Sequence, residues 1–247
     1  MLYWGVYSER PSQAIPSAIR WGSIRTEDGI ILPDGCMDLV WRDGEVMVAG
    51  PDTGPIAVSA SPLPSVGLRF PPGLLPHLLE VPAEQLRDSR IPLVDVVGRR
   101  MAAPLAGVDP TIAAAMFEDF GRSRLAVLGP VDPVVTVVAT MLGAGTSVAD
   151  VAAATDLSTR ALHRLGTRSF GYGPKTLAGI LRLQRARDLA GLGIPSAAVA
   201  AECGYVDQAH LIRESRRLTG RPFGEIRQPG SGANRSTALP SGSTRLA

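Results

Sequence analysis

Near its C-terminus the chain reads GYVDQAHLIRESRRLTGRP, from Gly204 to Pro222. The segment carries Gln208, Arg213, Arg216 and Arg217, which one short helix would hold close together. Glutamine can pair with adenine through two hydrogen bonds, and arginine with the O6 and N7 atoms of guanine. Arginine also binds phosphate, which fixes position without reading sequence. The set has the chemistry of a surface that reads DNA. The competing reading is a solvated helix face held by salt bridges. The elements around the segment decide between the two.

An internal repeat surrounds it. SVADVAAATDLSTRALHRLGTRSFGYGP (Ser147–Pro174) aligns with PSAAVAAECGYVDQAHLIRESRRLTGRP (Pro195–Pro222). Val151-Ala152-Ala153 matches Val199-Ala200-Ala201, and Leu162, Arg164 and Gly171 match Leu211, Arg213 and Gly220. Each copy predicts a helix-turn-helix. A short Ala/Val-rich helix comes first, and its small side chains permit close packing. In the turn, Gly204 suits a left-handed conformation and Asp156 must tolerate one. Ser158 and Asp207 then serve as N-caps. Leu162 and Leu211 are buried, and Gly171 and Gly220 end the second helices. On the first of these, Thr159, Arg160, His163, Arg164 and Thr167 form the exposed face, with Leu162 and Leu165 inward. Lys175–Leu192 predicts one long helix between the copies. Such a spacer matters because two recognition helices enter successive major grooves only about 34 Å apart.

Composition agrees. A length of 247 residues allows two modest domains with a buried core. Residues 1–131 hold 11 Arg against 15 Asp and Glu, whereas residues 132–228 hold 12 Arg and Lys against 8 acids. An acidic half joined to a basic half is expected where only the second half meets a polyanion. Cys36 and Cys203 lie far apart, which fits a reducing compartment better than a disulfide framework. No apolar run is long enough to span a membrane, and MLYWGVYSERP lacks the pattern of a secretory signal, so a cytoplasmic location is expected.

The first 95 residues predict a β-rich unit. Apolar runs at Ile30–Leu32, Leu39–Trp41, Val46–Ala49 and Val66–Phe70 alternate with turn signals, and Asp43-Gly44 predicts a hairpin. Many short strands at this spacing suggest a barrel or sandwich. Helices are predicted at Gly73–Glu80, Pro92–Arg100 and Thr111–Phe120. Trp4, Trp21, Trp41 and Phe70 could line an apolar pocket or belong to the core. Asp34 and Asp38 could form a carboxylate pair, although turn and strand-edge roles fit them better. Residues 229–247 are rich in Gly, Ser and Pro and predict a disordered tail.

The motifs LSTRALHR, FGYGPKTLAGILRLQRARDLA and VAAECGYVDQAHLIRESRRLTG, with their spacing, resemble the DNA-binding domain of the AraC/XylS family of bacterial transcription regulators. ILPDGCMDLVW, VAGPDTGP and VGLRFPPG resemble the sensor-like N-terminal region of a subset of that family. The resemblance implies an α+β chain. A β-rich, barrel-like (cupin-like) effector or oligomerisation domain spans residues 1–127. An all-α domain of two helix-turn-helix units joined by a long helix spans 128–230, and the tail spans 231–247. It implies a transcription factor, either an activator or a repressor, with double-stranded DNA as partner and RNA polymerase, a small-molecule effector and a second copy of the chain as further candidates. No membrane, cofactor or metal is implied. Carried over residue by residue, the base-reading positions fall on Arg160, His163 and Arg164 in the first unit, beside Thr159. In the second they fall on Gln208, Ala209, Ile212 and Arg213, with Ala209 or Ile212 against a thymine methyl. His210 points towards the first helix or the turn, in a structural role. Arg216, Arg217, Arg182 and Arg185 meet phosphate or solvent.

The sequence departs from the family where aromatic residues usually occupy the middle of each recognition helix; here those positions are Gly166 and Ser215. A helix-interior glycine costs about 1 kcal/mol relative to alanine, so the first unit is expected to be less rigid. Phe223 stands where the family often has proline. An alternative reading rests on Cys36 alone: a thiolate that senses oxidants or accepts an alkyl group, as in repair regulators sharing this DNA-binding fold. That chemistry needs a lowered thiol pKa or a metal, and no Cys/His cluster accompanies it. No phosphate loop, serine elbow or metal-binding helix is present, so no enzyme activity is expected.

Overall fold

The computed structural model describes residues 7–226. An antiparallel sheet domain is followed by a helical region. The strands are β1 (Tyr7–Pro11), β2 (Ile19–Arg25), β3 (Gly29–Ile31), β4 (Met37–Arg42), β5 (Glu45–Ala49), β6 (Ile56–Val58), β7 (Ser61–Phe70) and β8 (Arg90–Pro92). Six of them form one sheet in the order β1-β2-β7-β4-β5-β8, and β3 pairs with β6 separately. Asp43 and Gly44 both adopt positive φ, 51° and 82°, as a two-residue type I′ hairpin requires. They bring Arg42 opposite Glu45.

Alternation along β4 gives the sheet two unlike faces. Met37, Leu39 and Trp41 point into a core with Leu68, Phe70 and Val48. Helices α1 (Leu74–Leu79), α2 (Leu93–Ala102) and α3 (Pro110–Leu128) accompany this core, and α3 contributes Ala113, Ala114, Phe117 and Phe120. Trp41 and Phe70 are therefore core residues. Trp4 lies outside the described residues. The opposite face carries Asp38, Val40 and Arg42, and it is the face that encloses a cavity.

The C-terminal region comprises α4 (Pro133–Gly143), α5 (Val148–Ala154), α6 (Thr159–Phe170), α7 (Pro174–Gly191), α8 (Ser196–Glu202), α9 (Gln208–Thr219) and α10 (Phe223–Ile226). Its core joins Val138, Leu142, Val151, Leu162, Leu177, Ile180, Val199, Leu211 and Phe223. Leu32, from the sheet domain, belongs to this second core. The expected tail, residues 231–247, lies outside the described residues. Among the described residues no helix is long and apolar enough to cross a membrane.

Candidate nucleic-acid interface and ligand cavity

Each local signal in the repeat has its structural counterpart. The Ser158 side chain accepts from the Ala161 N–H, and that of Asp207 from the His210 N–H. Each cap is worth about 1 kcal/mol to its helix. Asp156 and Gly204 take positive φ in the two turns, and Gly171 and Gly220 end α6 and α9 in left-handed geometry. The 18 residues of α7 hold the units apart, a span of roughly 27 Å at 1.5 Å per residue.

On α6, Thr159, Arg160, His163 and Arg164 are exposed. Thr167, expected on the exposed face, is half-buried, and its hydroxyl donates to the His163 carbonyl at 3.0 Å. On α9, Gln208, Ala209, Arg213, Arg216 and Arg217 are exposed. Ile212 is partly buried against the core, which restricts the surface it can offer to a thymine methyl. Arg217 pairs with Glu214 at 2.9 Å along the same helix. His210 is structural: its Nδ1 accepts from the Val206 N–H at 3.3 Å, and its ring meets Tyr205 edge-on. Arg182 stacks over the Tyr205 ring with 4.4 Å to the centroid, which occupies it within the protein.

Gly166 does not loosen its unit. It is buried, and a Cβ there would lie 3.1 Å from the Tyr172 carbonyl and 3.2 Å from the Pro174 ring. The missing side chain lets α6 approach the turn that leads into α7. Ser215 is buried as well, and its hydroxyl donates to the Arg221 carbonyl at 2.8 Å. Phe223 fills the core below it. The aromatics expected in mid-helix are replaced by close backbone contact and by Tyr172 and Phe170 nearby, both buried.

The two reading faces have different surroundings. That of α6 opens into a cleft of about 1550 Å³. Arg160, His163, Arg164 and Arg168 line one wall, and His77, Glu80, Val81 and Glu84 of the sheet domain line the other. The C-terminal end of α6 is docked on that domain: a Cβ on Gly171 would meet the Pro51 ring at 2.5 Å, and Arg87 donates to the Gly171 carbonyl at 3.3 Å.

A second cavity, of about 330 Å³, lies between the large sheet and the β3–β6 pair. Trp21 forms part of it, with the indole lying so close over Gly67 that a Cβ there would come within 2.2 Å of the ring. At one end the Arg69 guanidinium reaches Glu9 at 3.0 Å, Asp34 at 3.2 Å and Asp38 at 3.6 Å. Asp38 also accepts from the Trp21 indole N–H at 3.0 Å. Burial pushes the Asp38 carboxyl up to about 6, against the opposing pull of Arg69 and with added repulsion from Asp34. For Arg69, burial works downwards, but Asp38 and Asp34 beside it drive the pKa well up. Arg90 grips both oxygens of Asp52, at 2.8 and 2.7 Å. The carboxylates read from sequence as turn and strand-edge groups thus share one buried arginine. Asp34 keeps a turn role too, accepting from the Cys36 N–H at 2.9 Å. Cys36 and Cys203 are both buried. Burial raises the Cys203 pKa, and Cys36 stands in the cavity wall. Among the described residues no group of His, Cys, Asp and Glu could hold a metal ion.

Two wall segments of this cavity touch the C-terminal helical region. In Leu32–Cys36, Leu32 joins the second core and the Pro33 carbonyl accepts from the Gln184 amide of α7. Gly35, at φ 82°, packs so closely on α7 that a Cβ would lie 3.1 Å from Leu177 and 3.3 Å from Leu181. In Gly50–Asp52, Asp52 lines the cavity while Pro51 touches Gly171 at the end of α6.

Residues 151–229 match the family model described as a helix-turn-helix domain, and residues 17–92 match a domain of unknown function, DUF6597. No curated protein matches the chain. A probable AraC family transcriptional regulator from Rhodopseudomonas palustris is 27% identical over 40% of this chain and 100% of its own, with a TM-score of 0.34. ToxT from Vibrio cholerae is 9% identical, covers 90% of this chain and 97% of its own, and overlays with a TM-score of 0.47. A ToxT structure with bound unsaturated fatty acid is 10% identical, covers 86% and 91%, and overlays at 0.41.

Proposed function

We propose that the chain is a regulator of the AraC/XylS type, an effector-responsive, sequence-specific promoter-binding protein of the cytoplasm, a reading supported by the helix-turn-helix match over residues 151–229. The helix-turn-helix match supports a DNA-binding transcription regulator. We assign base contacts to Arg160, His163 and Arg164 on α6 and to Gln208, Ala209, Ile212 and Arg213 on α9. Thr159, Arg216 and Arg217 contact the backbone. The observation that carries it is the pair of capped helices, α6 and α9, with exposed arginine-bearing faces, joined through the 18-residue helix α7. The reaction is binding, with no catalytic step. We assign residues 1–127 to effector binding and to homodimer contact, and residues 128–230 to DNA.

The cavity supplies the regulatory site. Its walls at Leu32–Cys36 and Gly50–Asp52 are also the seats of α7 and α6. A ligand that prefers one placement of those segments shifts the balance between arrangements of the two recognition helices. Promoter occupancy, and with it contact to RNA polymerase and activation, follows that balance. Selection from a random DNA pool with the purified full chain at fixed salt tests the reading. Two short conserved blocks about one helical turn apart are expected. A pool that remains random with and without cell metabolites would refute it.

A further inference from the structure

We propose that Val206, which precedes the cap of α9, reads a thymine methyl in the major groove and is therefore a further specificity-determining residue. The proposal rests on the DNA-reading role assigned to α9 and adds one contact to it.

The turn of the second unit is one residue longer than that of the first. Leu157 and Tyr205 are equivalent in the two turns. The Leu157 N–H donates to the Ala152 carbonyl at 3.0 Å, and the Tyr205 N–H to the Ala200 carbonyl at 2.9 Å. Both side chains pack on the C-terminal core. In the first unit the next residue is the cap, Ser158; in the second, Val206 stands between Tyr205 and the cap, Asp207. Val206 is thus the extra residue, and the core does not use it. It is 87% exposed, more than any other large apolar side chain among the described residues. Exposure of a single valine marks nothing by itself; its placement does.

The extra residue is held in place. Ser158 caps the N–H of Ala161 in α6, and Asp207 caps that of His210 in α9, so alanine and histidine occupy the same position in the two units. The histidine accepts from the Val206 N–H at 3.3 Å through Nδ1, and its ring meets the buried Tyr205 edge-on. Alanine in the first unit has no group for either contact. The β-branched side chain of Val206 is also stiff at χ1, so it loses little freedom when a surface closes on it. Recognition helices meet base edges with their N-terminal residues, and Val206 lies just ahead of Gln208 and Ala209, both exposed. The apolar group on the major-groove edge of the bases is the thymine C5 methyl. Ile212 is partly buried against the core, which leaves Val206 as the largest apolar side chain presented at this end of α9.

The test uses the full chain and the duplex that it selects from a random pool. Each thymine of that duplex is replaced in turn by deoxyuridine, which removes the C5 methyl and keeps the hydrogen-bonding edge. Affinities of wild type, Val206→Ala and Val206→Ser are measured by fluorescence anisotropy at one salt concentration. At one thymine the replacement is expected to weaken wild type about fourfold, the worth of one buried methyl group, and to leave both variants unaffected. On the unmodified duplex both variants are expected to bind more weakly than wild type by a similar factor, with scrambled DNA bound as before. Deoxyuridine penalties that persist undiminished in both variants would overturn the proposal, as would a selected duplex in which no thymine methyl matters. In either case α9 keeps its assignment to DNA so long as wild type prefers the selected duplex to scrambled DNA. If wild type shows no such preference, the reading of α9 fails and the Val206 contact fails with it.

Discussion

In the proposed interface, single residues divide into those that read and those that hold. Arg213 is exposed on α9, and the shared geometry of the two units places it like Arg164. Arg213→Ala is expected to cost about 1–3 kcal/mol on the selected operator and little on scrambled DNA. Arg216→Ala is expected to weaken both alike and to lower the salt slope by about one. Anisotropy titrations of both variants on both duplexes at several salt concentrations separate the roles; uniform weakening by Arg213→Ala would make it a phosphate contact. A different residue governs the pH response of the sheet domain. Asp38 has its folded pKa at about 6, above about 3.9 in an unfolded chain. The folded state then binds more protons between those values, so this group's contribution to stability falls as pH rises from about 4 to 6. Denaturation curves of wild type minus Asp38→Asn across that range should show a difference with this slope. A difference that grows with pH would mean that Asp38 is held ionised by Arg69.

At the scale of elements, packing overrules propensity at α6. Gly166→Ala would gain about 1 kcal/mol of helix propensity in an open helix. Here the added Cβ faces the Tyr172 carbonyl at 3.1 Å and the backbone nitrogen of Pro174 at 3.3 Å, and backbone does not yield cheaply. A net loss of stability by urea denaturation is expected; a gain would show that the turn relaxes. The caps Ser158 and Asp207, the left-handed Asp156 and the Asp43-Gly44 hairpin were all legible in the sequence because each depends on a few neighbouring residues. The close approach at Gly166 was not, since it depends on where the chain goes next. Strands β1, β2, β6 and β8 lacked a clear apolar pattern, and β7 begins with Pro62 and Pro64. Those prolines lie beyond Ser65, the last partner of β4, and within the irregular stretch opposite β2, where no ladder donor is needed. The cavity was the least legible part. Asp38 meets Arg69 across β4 and β7, and only register separates Trp21, in the cavity wall, from Trp41 in the core.

For the whole molecule, the division into acidic and basic halves becomes a statement about geometry. The reading face of α6 does not look out into open solvent; it shares a cleft with Glu80 and Glu84. A helix seated in a major groove about 12 Å wide has a phosphate backbone on each side. Insertion of α6 as proposed would place one of those backbones between α6 and the sheet domain, close to two carboxylates. Glu80 already pairs with Arg124, so Glu84, which is exposed, offers the simpler test. Glu84→Gln should strengthen operator binding at low salt, chiefly through a faster association rate, and the gain should fade as the Debye length shrinks from about 30 Å at 0.01 M to about 3 Å at 1 M. Footprinting of the same variant is expected to extend protection over the block read by α6. If affinity and footprint stay as in wild type at every salt concentration, no phosphate passes through the cleft, and specificity rests on α9 while the sheet domain remains seated on α6.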